Sequence, residues 1–257
     1  MLIKDIVEYL DNRYPKDTAC DFDQNIIGFT IGNINNDVKK VLLALDLTMP
    51  VLKEAKRCGA NLIITHHPFI FNPITKILYN SPQGEIIKFM CDNDISLYSM
   101  HTNLDCAIDG VNDVLAKMLG IPFSHEECIK EDFIRYGEIE IITLKEFVKK
   151  VKETFNLKGV RVVGDLNKKI KRVGILGGSG ASLKDLNKAL SLSLDCYITG
   201  EVHLDKAIYA NQNNLAIIEV NHGVERFVFN FLIKTLENNF GDIFVISKIN
   251  TDPLISC

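Results

Sequence analysis

VLLALDLTMPVLKEAKRCGANLIITHHP, residues 41–68, decides the fold. It opens on consecutive apolar residues, Val41–Leu45, too few for an ordinary helix and without alternation, which is the pattern of a strand buried on both faces. Thr48 then stands where a helix cap is expected, Val51, Leu52 and Ala55 return at helical spacing, and Gly59 follows as a stop. A second strand, Asn61–Thr65, comes at once and delivers His66, His67 and Pro68. Strand, helix, strand in one stretch is a crossover unit, so the fold class is α/β.

The same alternation extends outward. Leu2, Ile3, Ile6, Val7 and Leu10 predict an opening amphipathic helix. Downstream, the patterns predict a helix over Glu85–Asn93, a strand over Ile95–Met100 and a helix over Val111–Leu119. The alternation breaks around Gly120, Ile121 and Pro122, and the boundary between two α/β lobes, 1–123 and 124–257, is drawn there. The second lobe reads as a strand over Phe133–Ile142, then a helix toward Phe155 opened by a capping box, Thr143 to Glu146. Strands at Val160–Val163 and Val173–Leu176 and a helix from Ser182 to Ser191 follow. Cys196–Thr199 then leads into a helix over Leu204–Ala210, and Ala216–Val220 into one over Val224–Glu237. A strand at Ile243–Ile249 closes the chain; this last helix and strand are free to pack back on the first lobe. Largely parallel or mixed sheets are expected in both lobes.

Composition bounds the function. Apolar residues make up 47% and charged residues 24%, enough apolar surface to fold and too much for a disordered chain. A net charge of −4 argues against nucleic-acid binding through general basicity. The one dense basic run, Asn167-Lys-Lys-Ile-Lys-Arg172, reads as the solvated start of a strand. Seven scattered cysteines, odd in number and never spaced CxxC, indicate reduced thiols and neither a disulfide framework nor a thiolate zinc site. The opening MLIKDIVEYL lacks the apolar core of a signal peptide, and no run approaches the ~20 apolar residues of a membrane span. A cytoplasmic protein that does not engage membranes is expected.

In open α/β sheets, chemistry gathers beyond the carboxyl ends of the strands. Four predicted strand ends here are rich in metal-ligand types: His66 and His67; His101 and Asp105; Glu201 and His203; His222 and Glu225. Of the six histidines only His125 lies elsewhere. Side chains alternate along a strand, so adjacent histidines serve neighbouring ions more readily than one ion, and Pro68 holds the exit extended. A dinuclear site bridged by Asp105 or Glu225 meets this demand. Imidazole with carboxylate and no thiolate suits two divalent ions of zinc, iron, manganese or cobalt.

With these residues in place, the chain resembles the Nif3-like family, whose members are also described as GTP cyclohydrolase 1 type 2 homologues or dinuclear metal centre hexameric proteins. The matching stretches are Ile64-Thr-His-His-Pro-Phe-Ile-Phe71, Ser99-Met-His-Thr-Asn-Leu-Asp105, Gly177-Gly-Ser-Gly180, Thr199-Gly-Glu201 and Val220-Asn-His-Gly-Val-Glu225. The resemblance implies that His66, His67, Asp105, His222 and Glu225 ligate two metal ions in a cleft between the lobes, and that the assembly is a ring-shaped homohexamer. In one departure, Asn221 precedes His222 where many members have glycine, and the step to Glu225 is three.

Two such ions point to hydrolysis, and the resemblance implies a nucleotide or related purine- or pterin-like compound as the substrate. His101 and Glu201 are the candidates for proton transfer, or alternatively for orienting a ligand. Gly177-Gly-Ser-Gly180, between a strand and a Ser182-capped helix, is either a phosphate cradle or a tight turn. A non-catalytic metal-binding or scaffold ring, and a ring that binds nucleic acid, are the competing expectations.

Overall fold

The structure, a computed structural model, describes residues 1–124 and 133–254; His125, Cys128 and Cys257 lie outside the described residues. The chain runs through α1 (Ile3–Arg13), β1 (Gly28–Ile31), β2 (Val41–Ala44), α2 (Met49–Cys58), β3 (Leu62–Thr65), α3 (Pro82–Asp92), β4 (Ser96–Ser99) and α4 (Thr102–Cys106). Next come α5 (Val111–Leu119), β5 (Arg135–Thr143), α6 (Leu144–Phe155), β6 (Arg161–Val163), β7 (Lys169–Leu176), α7 (Leu183–Ser191), β8 (Cys196–Thr199), α8 (Leu204–Gln212) and β9 (Ala216–Glu219). A 3-10 segment, His222–Val228, precedes α9 (Phe229–Phe240) and β10 (Phe244–Ile246).

Two compact units result. The first comprises Met1–Ala107 and Phe229–Thr251; the second comprises Ile108–Val228 with the chain end from Asp252. The change of unit falls at 107/108, where the sequence reading draws it at 123/124, because α5 packs against β5, β7 and α6 of the second unit. The helix α9 and strand β10 belong to the first.

The first sheet has the order β1-β4-β3-β2-β10, with β1 antiparallel and the rest parallel. Each residue of β2, β3 and β4 is buried, which explains the apolar runs of β2 and β3. Leu42, Ile63 and Leu97 meet Val51, Leu52 and Ala55 of α2 in one core. Thr48 occupies the N-cap of α2 with extended backbone but its hydroxyl makes no capping bond. Pro50, in the first turn where no intrahelical amide bond is lost, marks the start instead. Gly59 ends the helix at φ +77°, a left-handed conformation that favours glycine.

The second sheet has the order β5-β7-β8-β9-β6, with parallel β7, β8 and β9 between antiparallel edges. Thr143 and Glu146 close the predicted capping box on α6, and Ser182 and Asp185 close another on α7. The basic run is the start of β7, and its charge is neutralised locally. Lys171 and Arg172 pair with Glu138 across the strands, and the Asp195 carboxylate accepts from both their backbone amides at 2.8 Å.

Both units repeat one plan: three consecutive parallel strands, with an earlier antiparallel strand paired to the third. The registers correspond. Thr65 lies opposite Ala44 and Ser99 in the first sheet, as Thr199 lies opposite Leu176 and Glu219 in the second. Asp105 follows Ser99, and Glu225 follows Glu219, by the same interval (105 − 99 = 225 − 219 = 6). The donor carboxylates therefore leave equivalent strands at equivalent positions.

Candidate metal centre

The first unit brings together His66, His67, His101 and Asp105. Backbone bonding continues past the end of β3, with the His66 and His67 amides donating to the carbonyls of Ala44 and Leu45 at 3.3 and 3.1 Å. This holds both residues beside the end of β2. Their rings lie 4.8 Å apart at a tilt of 51°. His101 presents its ring edge to both, at 5.3 Å from His66 and 5.5 Å from His67. One donor atom from each of the three lies within 4.8 Å of the others, close enough to hold a metal ion. Asp105 joins them through α4, a helix whose N-cap is His101 and whose Asp105 amide donates to the His101 carbonyl at 3.1 Å. Its Oδ1 faces His66 Nε2 at 3.5 Å, with the His66 side chain fully buried.

Each of these imidazoles is anchored through Nδ1. His66 Nδ1 lies 2.9 Å from the Met100 carbonyl, which can only accept, so the proton sits on Nδ1 and the lone pair on Nε2. His67 Nδ1 donates to Asp46 Oδ1 at 2.6 Å, and the other Asp46 oxygen accepts from the Thr251 hydroxyl. His101 Nδ1 donates to Asp23 Oδ1 at 2.9 Å, while Asp23 Oδ2 accepts from the amide and hydroxyl of Thr102 at 2.9 and 2.7 Å. Burial pushes both aspartates up, but the hydrogen bonds outweigh it. Those from His101 and Thr102 hold Asp23, and those from His67 and Thr251 hold Asp46, below the ordinary aspartate value. Both carboxyls are thus acceptors at neutral pH.

The second unit repeats the device. His222 Nδ1 donates to Glu201 Oε1 at 2.9 Å, and Glu201 Oε2 accepts from Ser179 Oγ at 2.6 Å. The Ser179 bond first, opposed by burial and then aided by His222, keeps the Glu201 carboxyl below its usual range. His222 Nε2 faces Glu225 Oε2 at 3.2 Å. The continuous helix expected from Val224 begins instead as a 3-10 segment, in which residues three apart eclipse one another, and this stacks Glu225 directly over His222. Asn221 supplies the turn before it at φ +75°, accepting from the Gly223 amide at 2.7 Å and donating to Asp252 at 2.6 Å. It is a turn residue.

The glycine loop serves these donors. Gly178 has φ +59°, and a Cβ there would meet Glu225 Oε1 at 2.7 Å and His222 Nε2 at 3.3 Å. The Gly177 amide donates to Asn112 Oδ1 at 2.8 Å. At the start of α7 the Asp185 carboxylate accepts from the Ser182 amide at 3.0 Å, so an anion of the chain's own already sits there. The tight-turn reading accounts for this loop. His203 is exposed at the N-cap of α8, which its side chain does not cap.

Sequence reasoning missed Asp23, Asp46, Ser179 and the Met100 carbonyl. Asp46 carried a signal, because it directly follows Leu45 at the end of the first strand, where the other candidates were sought. Asp23 carried none, lying in an irregular turn between α1 and β1. Sulfur contributes little: Cys196 is buried, and burial pushes its thiol far up, out of the thiolate range. The donor set is imidazole and carboxylate, which fits a divalent ion of intermediate softness.

Comparisons with known proteins bear on the chain as a whole. The family described as Duf34/NIF3 (NGG1p interacting factor 3) matches residues 1–253. A Clostridium acetobutylicum protein named GTP cyclohydrolase 1 type 2 homolog is 33% identical over 98% of this chain and 97% of its own. Two solved structures superpose over 100% of this chain and 99% of theirs, each with a TM-score of 0.90: a Bacillus cereus protein related to NIF3, at 26% identity, and a hypothetical protein of Staphylococcus aureus, at 32%. Sequence, fold and the histidine-bearing strand ends lead to one assignment: the chain belongs to the Duf34/NIF3 family.

Proposed function

We propose that this chain is a metal-dependent hydrolase acting on a nucleotide or related heterocycle, with two divalent ions shared among His66, His67, Asp105, His222 and Glu225. The observation that supports it most is the uniform anchoring of the imidazoles. His66, His67, His101 and His222 each commit Nδ1 to an oxygen acceptor, which fixes the ring and turns Nε2 into the donor, the arrangement typical of metal-ligating histidine. Asp105 and Glu225 then supply negative charge opposite the Nε2 atoms of His66 and His222. Divalent ions in such a set supply Lewis acidity to a substrate oxygen and acidify a water.

His101 is the proposed proton carrier. Asp23 holds its Nδ1, so exchange with substrate falls to Nε2, beside the rings of His66 and His67. Glu201 fits the orienting role better than proton transfer, because both of its oxygens are engaged, one by His222 and one by Ser179. The names of relatives such as the Clostridium acetobutylicum protein support a nucleotide substrate. The proposed assembly is a homohexamer, which sedimentation velocity tests.

The deciding experiment is metal analysis of the purified protein joined to a turnover screen over nucleotides and cyclic amides, for wild type and His67→Ala. Co-purifying divalent metal and turnover, both lost in His67→Ala, are expected. Protein that neither retains nor takes up divalent metal overturns the proposal. Metal bound tightly with no turnover of any compound identifies a non-catalytic metal-binding protein instead.

A further inference from the structure

Phe22 and Phe71 are large apolar side chains left in solvent, 61% and 51% exposed, and they are not scattered singly. Their rings contact each other at 6.3 Å between centroids with a tilt of 46°, within the range of a favourable aromatic pair. Phe71 in turn presents an edge-to-face contact to His101 at 6.4 Å. The pair is thus continuous with the cluster of His66, His67 and His101 rings.

Both phenylalanines lie on segments that are joined to the donor cluster. Phe71 ends the stretch that begins with His66 and His67 and passes through the buried Pro68. Phe22 precedes Asp23, whose fully buried carboxylate binds His101 and Thr102, and the Cys20 amide donates to Thr102 Oγ1 at 2.9 Å. The turn that points Asp23 inward therefore points Phe22 outward. Exposed aromatic groups bordering a donor cluster offer a ligand site a flat apolar surface for a ring.

We infer that Phe22 and Phe71 form a stacking platform, and that the compound brought to the metal centre carries a planar heterocycle seated on that platform beside His101. The inference deepens the proposed function and rests on it for what the ring is presented to. The platform itself depends only on the two phenylalanines. Aromatic faces stack on any base, so the platform selects for a flat ring and not for a particular substitution pattern.

The chain contains no tryptophan, so Phe71→Trp installs a single indole at the platform. The probe is guanosine, with ribose 5-phosphate as a ring-free control, titrated into full-length protein. Guanosine is expected to quench the emission of that indole saturably, and ribose 5-phosphate is not. In equilibrium dialysis, Phe71→Ala and Phe22→Ala are each expected to weaken guanosine binding about fivefold to a hundredfold, the range for loss of one base–aromatic stack. Phe71→Leu, which keeps apolar bulk but no ring face, should weaken it nearly as much. Metal content of all three variants should match wild type.

Guanosine binding unchanged in both alanine variants, or no guanosine binding by metal-loaded wild type, overturns the inference and leaves the metal reading standing. Guanosine binding that depends on Phe22 and Phe71 in a protein devoid of metal affinity sustains the platform and overturns the hydrolase. Alanine variants that keep guanosine affinity but change sedimentation coefficient show an interface between copies, which also overturns the inference.

Discussion

Replacing Asp46 with alanine tests whether the anchored imidazoles are metal donors. Asp46 accepts from His67 Nδ1 at 2.6 Å, a charge-assisted contact that fixes the ring and makes Nε2 more basic. Hydrogen bonds to a charged group contribute about 1.5–3 kcal/mol when buried. The Asp46 side chain is 34% exposed and that of His67 23%, so the lower end applies, about 1.5 kcal/mol, or roughly tenfold in affinity. Glu201 holds His222 in the same way but is 46% exposed. Solvent screening then places Glu201→Ala at about threefold. Competition against a chromophoric chelator measures both, with circular dichroism as the check on folding. Thr251→Val, which removes a donor to Asp46 but keeps its charge, should fall between wild type and Asp46→Ala. Affinity of Asp46→Ala within twofold of wild type, or a larger loss in Glu201→Ala, would refute the reasoning.

Asp23 is fully buried and accepts three hydrogen bonds, so Asp23→Ala strands three donors. At about 1 kcal/mol each the loss is about 3 kcal/mol, a fall in Tm of roughly 6–12 °C measured in chelator to separate it from metal loss. The lowered values of Asp23 and Asp46 carry a sign. A carboxyl held below its unfolded value contributes stability above the ordinary aspartate range and loses it as pH falls through the folded value, so the gap in urea midpoint between wild type and Asp23→Asn should close in acid. A gap that widens there contradicts the assignment. Gly178→Ala combines a left-handed backbone with a Cβ 2.7 Å from Glu225 Oε1. It should cost about 1–2 kcal/mol of stability, read from Tm, and lower metal affinity more than Gly59→Ala, where nothing lies within reach of the new methyl.

The sequence was most legible where local chemistry and tertiary structure agree. The expected bounds of α5 and β8 match the structure, and the capping box on α6 forms as its residues require. The candidate donors could be read because strand ends in α/β sheets collect ligands, and none of them needs a distant residue to be recognised. Short elements that carry neither a continuous apolar run nor a helical period were not legible. The strand β1 is four residues on a sheet edge, and α4 is five residues, yet α4 carries Asp105 to His66. The 3-10 start before α9 is a departure that helical spacing alone does not encode. Nor could Asp23 be assigned, because it meets His101 across a separation of 78 residues. Contacts of that kind are set by packing, and a one-dimensional pattern holds no trace of them.

The strand order also fixes a timetable for synthesis. The edge strand β10 pairs with β2, so the first sheet keeps an unpaired edge until residues 244–246 have emerged from the ribosome. The second sheet is assembled entirely from residues 135–219 and can close while the C-terminal tail is still being translated. Of the two sheets, the one encoded later is therefore the one able to finish first, and a nascent chain stalled before Phe244 exposes the edge of β2 as a template for intermolecular pairing.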